Sequence, residues 1–172
     1  VGVLTDPKTR QALQLTDATL FELRQLDVAS PPKEFWPPNT KCPDGVLVAN
    51  TERHGDCVCF VELKGAVDLD EEEFPARAYA QLLAGVEHFA HAIAHGAMHH
   101  EVWQSGTDLD VAGVTREHRI FGVVLTQRSG TRARARVVVC HGRIVNLVPL
   151  QRSGRRSQVS LTVPEFLDAI GA

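Results

Sequence analysis

Apolar and polar positions mostly alternate in short runs along this chain, and a helical period is clear over only one long stretch. Gly45-Val46-Leu47-Val48-Ala49 and Cys57-Val58-Cys59-Phe60-Val61-Glu62-Leu63-Lys64 are short, apolar and rich in branched residues, the pattern of buried strands. The polar stretch 50–56, which holds Gly55, predicts a hairpin with a longer loop between them. Residues 119–126 (RIFGVVLT) read as another buried strand, and residues 20–28 as a looser one with a short helix as the alternative. Further strands are predicted at 137–140, 143–150 and 157–163, and Pro164 opens a short terminal helix over 165–170. The helical period runs from Pro75 to about His95, where Leu82, Val86, Phe89 and Ile93 form one apolar stripe. The carboxylates between Asp68 and Glu73 complement the positive end of that helix, and Gly96 stops it. Ser30 to Pro38 is a proline-rich loop. This order predicts an α/β class with a mixed central β-sheet and flanking helices.

The predicted hairpin has a chemical consequence. Side chains alternate along a strand, so Glu62 and Lys64 project from one face and Leu63 from the other. Pairing of the two strands brings Asp44, at the mouth of the first, beside Glu62 at the end of the second. Two carboxylates and a lysine then converge at the end of an otherwise apolar hairpin. The competing reading makes Asp44 a turn residue and Glu62–Lys64 a solvated surface pair. The apolar run before Glu62 weighs against it, because burying an ion costs several kcal/mol unless a partner or metal compensates.

Pro43-Asp44, then Glu62-Leu63-Lys64 closing an apolar strand, then Gly65 and a helix occur in the order of a known motif. Over roughly residues 20–126 the chain resembles the PD-(D/E)xK nuclease superfamily, which has the restriction-endonuclease-like fold. Length and the lack of a dividing linker predict a single domain over 1–172, with that core and an arginine-rich, β-rich C-terminal extension over 127–172. The resemblance implies a metal-dependent nuclease that hydrolyses nucleic-acid phosphodiester bonds, using Mg²⁺ or Mn²⁺ held by Asp44, Glu62 and the Leu63 carbonyl. Hard oxygen ligands suit those ions. Lys64 would orient the attacking water, and Gln81, within the helix after the lysine strand, would hold a water or a phosphate oxygen. The family pattern often carries a further acidic residue on a helix before the first strand. Here the nearest candidate, Glu22, falls on a predicted strand and does not match. The alternative is a catalytically silent nuclease-fold subunit that binds nucleic acid or assembles a complex. A phosphodiesterase acting on small nucleotides is a third reading.

Charge sharpens this picture. The net charge of −3 argues against a generic nucleic-acid binder, but it hides a split. Residues 1–115 carry 8 Lys/Arg against 18 Asp/Glu (−10), and residues 116–172 carry 10 Arg against 3 Asp/Glu (+7). Arg128, Arg132, Arg134 and Arg136 form one cluster, and Arg152, Arg155 and Arg156 another. Arginine suits phosphate through its planar fork of donors, so these residues are candidate nucleic-acid contacts, with DNA ahead of RNA. Their competing reading is a solvated loop and an edge strand protected by charge. A homodimer and a partner protein are further candidate associations.

Several features bound the remaining possibilities. No apolar run approaches the roughly 20 residues that span a bilayer, and no basic region followed by an apolar stretch marks a signal peptide. Four cysteines are too few for a disulfide framework, so reduced thiols in a cytoplasmic protein are expected. Cys57 and Cys59 share the strand face opposite Glu62 and read as small buried hydrophobes. His88, His91, His95, His99 and His100 cluster near the end of the predicted helix. His91 and His95 have a metal-ligand spacing, but no Glu or Cys completes a site nearby, and a solvated helix end is the better reading. His88 shares a helix face with Gln81, being seven residues on.

Overall fold

The computed structural model describes residues 2–6, 8, 10–17, 21–25, 43–64, 78–87, 119–126, 135–140, 143–151 and 158–172. Among these residues the chain is mixed α/β, mostly strand, with two sheets and two helices. In chain order the elements are β1 (Gly2–Asp6), β2 (Gln11–Leu15), β3 (Phe21–Gln25), β4 (Gly45–Thr51), β5 (Gly55–Lys64) and α1 (78–87). They continue with β6 (Arg119–Thr126), β7 (Arg136–Cys140), β8 (Arg143–Gln151), β9 (Gln158–Leu161) and α2 (Val163–Ile170). The larger sheet has the order β3-β4-β5-β6-β8-β7, and the smaller β1-β2-β9.

Strand β5 is central to the larger sheet. It pairs antiparallel with β4 (Gly45↔Val61) and parallel with β6 (Lys64↔Thr126). Its odd and even residues therefore enter different cores. Cys57, Cys59, Val61 and Leu63 join Leu47, Phe121, Val123 and Leu125 in a cluster with Leu4, Leu13 and Leu15 of the small sheet and Val163, Phe166, Leu167 and Ile170 of α2. On the other face Val46, Val58, Phe60, Ile120 and Val124 cluster with Ala78, Tyr79, Leu82 and Val86 of α1. A strand buried on both faces needs an unbroken apolar run, and this is why β5 and β6 are so legible.

Two glycines let α1 lie close to the sheet. A Cβ on Gly122 would stand 2.7 Å from a terminal methyl of Leu147 and 3.3 Å from Leu82 Cβ. One on Gly85 would stand 2.7 and 2.9 Å from Cγ and Cδ of Pro43. The second contact ties Gly85 of α1 to the residue before Asp44.

Four expectations need correction. The hairpin loop is short, because β4 runs on to Thr51 and β5 starts at Gly55, whose positive φ of 64° suits glycine at the end of the turn. The last strand stops at Leu161. Thr162 then caps α2, accepting from the Glu165 N–H while the Glu165 carboxylate accepts from the Thr162 N–H, so the helix starts at Val163. The C-terminal strands are no extension to the sheet: β8 lies parallel beside β6, and β7 beside β8. Pro149 is tolerated within β8 because β7 ends at the Arg136↔Leu147 pair, two residues short of it. Finally, β1 and β2 were not foreseen, and β2 pairs in parallel with β9 across the length of the chain.

The tip of the β4–β5 hairpin is fastened to α2. The Thr51 hydroxyl accepts from the His54 N–H at 3.0 Å and is hydrogen-bonded to His54 Nδ1, also at 3.0 Å. His54 Nε2 lies 2.9 Å from Asp168 Oδ1, so the ring bridges Thr51 of the hairpin and Asp168 of α2. The Asp168 carboxylate also takes the exposed Arg53 guanidinium, a pair worth little by itself. The His54 side chain is 2% exposed, so its bond to Thr51 is buried, while the bond to the half-exposed Asp168 is partly so. Replacing His54 with alanine is expected to destabilise the fold by about 1–3 kcal/mol in urea melts, because it removes the ring's bonds to Thr51 and Asp168 and opens a cavity.

Candidate functional site

The hairpin register places the proposed carboxylates opposite each other. Gly45 pairs with Val61, so the next position outward sets Asp44 against Glu62. The ladder does not simply end there. Asp44 Oδ2 accepts from the Leu63 backbone N–H at 2.5 Å, standing in for the bond the next strand residue would have made. A residue's N–H and C=O leave a strand on the same edge, so the Leu63 carbonyl is directed to the Asp44 side as well. The chain thereby gathers the Asp44 carboxylate, the Glu62 carboxylate and one backbone oxygen at a single corner of the sheet.

Burial separates this corner from a surface ion pair. Glu62 is 2% exposed and Asp44 8%. Lys64, two residues on and on the same face, donates through Nζ to Glu62 Oε1 and retains partial exposure. It also donates to Gln81 Oε1 of α1 at 3.3 Å. Asp44, Glu62, Lys64 and Gln81 are thus brought together, Gln81 from a different element. The solvated-pair reading does not fit a glutamate so deeply buried, whose second oxygen, Oε2, is also out of solvent.

Thr126 was missed by sequence reasoning. It ends β6 in register with Lys64, on the same face, and is fully buried. The one available signal was its place as the last residue of a predicted strand, since ligands of open α/β sheets bind at the carboxyl ends of parallel strands. Glu22 pairs in backbone register with Val48, four residues along β4 from Asp44.

Of the candidate phosphate-binding arginines, Arg136 is described. It pairs with Leu147, whose side chain belongs to the α1-side core. Its guanidinium carbon lies 5.5 Å from the ring centroid of Tyr79, two residues before Gln81. Burial pushes the Tyr79 hydroxyl pKa up and the neighbouring Arg136 charge opposes that shift. Arg128, Arg132, Arg134, Arg152, Arg155 and Arg156 lie outside the described residues, as do Cys42, the acidic run 68–73 and the histidines from 88 to 100.

The cysteines behave as core residues. Cys57, Cys59 and Cys140 are free and buried. Burial pushes all three thiols up, Arg119 offsetting part of the shift at Cys57 and Cys59, and Glu87 adding to it at Cys140. Thiols held protonated are poor nucleophiles and poor metal ligands.

The donor set fits a small, hard divalent cation. Among the described residues no group of three His, Cys, Asp or Glu gathers at one point, so the carboxylate donors stop at two. Mg²⁺ is commonly held by one or two carboxylates, with water and substrate phosphate completing its shell. Among the same residues no helix is long and apolar enough to cross a membrane. No family model, curated protein or solved structure matches the chain.

Proposed function

We propose that this protein is a metal-dependent nuclease that hydrolyses nucleic-acid phosphodiester bonds, built on a restriction-endonuclease-like arrangement of the larger sheet and α1. The observation that carries the reading is the burial of Glu62 opposite Asp44, with Lys64 and Gln81 converging on the same corner. Two buried carboxylates side by side repel each other, and a structural role alone does not call for the pair. Asp44, Glu62 and the Leu63 carbonyl would hold a divalent cation, which would supply polarisation of a phosphoryl oxygen and a more acidic water.

The chain's own groups do the rest. Lys64, held by Glu62 and Gln81, keeps its ammonium at this corner, where it would stabilise negative charge developing on the attacking water. The Gln81 amide steadies Lys64 through Oε1 and leaves its N–H₂ free to donate to a phosphate oxygen. Arg136, on the α1 side of the sheet, supplies a planar donor for the substrate backbone, with the arginines at 128–134 and 152–156 as further contacts. The reduced, buried cysteines suit a cytoplasmic setting.

A second reading, a nuclease-fold subunit that binds without cutting, draws on one observation. The described carboxylates stop at two, and Lys64 already engages one of them. A cleavage panel with duplex DNA, single-stranded DNA and RNA in Mg²⁺ or Mn²⁺ separates the two. The enzyme reading expects cleavage of at least one substrate, abolished by chelator. Binding without cleavage in either metal supports the silent subunit. In binding titrations, Arg136→Ala is expected to reduce the salt slope by about one phosphate contact, and an unchanged slope removes Arg136 from the interface.

A further inference from the structure

We propose that this chain forms a symmetric homodimer by antiparallel pairing of β7 with β7 of a second copy. Among the described residues β7 ends the larger sheet and has a neighbour, β8, on one side. An end strand normally carries a lysine, a proline or a bulge that blocks further pairing. The sequence Arg136-Val137-Val138-Val139-Cys140 carries no lysine, proline or bulge, its one charge is Arg136 at the first residue and on the α1 face, and its register with β8 is unbroken. Val137, Val139 and Ile144 are 67%, 74% and 64% exposed. Val139 pairs directly with Ile144 and Val137 is the next residue on the same face, so the three form one aliphatic patch at the sheet's end.

The strand is complementary to itself. With Val138 opposite Val138 of the second copy, Val137 faces Val139 of the second copy on the patch side, twice over. The two patches merge into one row of four valines flanked by both Ile144 side chains. On the opposite face Arg136 meets Cys140 of the second copy, where Glu87 lies close enough to raise the thiol's pKa, and not a second Arg136. That arrangement sets the cation toward an acidic group and keeps the two arginines about 13 Å apart, four residues along the strand. The two-fold axis of such a pair stands perpendicular to the sheet, so both copies present α1, and the Asp44–Glu62 corner, on the same side. Five paired residues bury less than the 1,200 Å² or so of a standard interface, so the dimer is weak and concentration-dependent, in the micromolar range.

Sedimentation velocity and light scattering across a micromolar to submillimolar series test this. The wild type is expected to pass from monomer to dimer. One variant carries Val137→Glu and Val139→Glu, another Val137→Lys and Val139→Lys. Each puts like charges directly opposite across the pair and is expected to stay monomeric. Because these positions are exposed, far-UV circular dichroism melts of both variants should match the wild type. Val139→Lys alone, with a smaller change to the strand, is the control should either double variant melt early. Mixing the glutamate and lysine variants is expected to restore a dimer, since each Glu then faces a Lys. A wild type that stays monomeric throughout overturns the proposal. So does a dimer that survives in the glutamate variant, a mixture that fails to reassociate, or a patch whose sole ligand is a different protein.

Discussion

Replacing Lys64 with methionine is expected to lower kcat for metal-dependent cleavage by on the order of 100- to 1,000-fold, the loss typical of removing one preorganised charge-stabilising group. Methionine keeps the length of the stem and removes the ammonium. The same change acts on stability through a different term. Lys64 is the cation bonded to Glu62, and Glu62 is 2% exposed, so the substitution leaves a buried carboxylate without its counter-charge. Breaking a fully buried pair costs about 3–5 kcal/mol; the partial exposure of Lys64 puts this pair at the lower end or below. The two effects separate in the double variant. Glu62→Gln combined with Lys64→Met removes both charges and is expected to recover most of the lost stability in urea melts, with no recovery of cleavage. If the double variant is as unstable as Lys64→Met alone, Glu62 was not the source of the cost.

Gly85→Ala has a less obvious sign. In an exposed helix interior this substitution stabilises by up to about 1 kcal/mol, because alanine loses less backbone entropy. Here the new Cβ would stand 2.7 and 2.9 Å from the ring of Pro43, and a pyrrolidine ring cannot swing aside as a leucine methyl can. Overpacking of this kind costs about 1–3 kcal/mol, so the net expectation is a loss of roughly 1–2 kcal/mol. Relief of the clash requires α1 to move away from the Pro43–Asp44 corner. Gln81, one turn before Gly85 on the same helix, would move with it, away from Lys64. Cleavage is therefore expected to fall together with stability. Adding Pro43→Ala, which deletes the two clashing ring atoms, should recover part of both. A Gly85→Ala protein more stable than the wild type would contradict the close docking of α1 on Pro43.

The parts of this structure that sequence reveals are those whose cause is local. Residues 119–126 form β6 as predicted, because a strand buried on both faces writes its burial into seven consecutive residues after Arg119. The convergence of Asp44, Glu62 and Lys64 was legible for a similar reason: a period of two fixes the face, and hairpin pairing fixes the partner. Gln81 lies across a chain break in that logic. Its contact with Lys64 depends on how a helix crosses the sheet, and the resemblance pointed to it where periodicity could not.

What stayed hidden depends on distant partners. β2 is five residues long and pairs with β9, nearly the whole chain away, and no local pattern signals a parallel pair of that span. His54 lies in the turn between β4 and β5, and its bond to α2 was hidden because the partner, Asp168, is 114 residues on. The C-terminal strands were separated from the core because the resemblance ended near residue 126, whereas β8 pairs with β6 from Ile120 to that same residue. Charge was informative in outline. The acidic part holds the proposed carboxylates, and Arg136 of the basic part lies on the α1 side of the sheet, the side shared by Lys64 and Gln81.

Direct measurement of Mn²⁺ binding, by electron paramagnetic resonance or calorimetry, tests the central claim without a choice of substrate. The wild type is expected to bind Mn²⁺ at one site, with affinity falling at least about tenfold in Asp44→Asn and in Glu62→Gln while the fold is retained. A wild type that binds no Mn²⁺, or binding unchanged by both substitutions, would contradict the assignment of Asp44 and Glu62 as metal ligands.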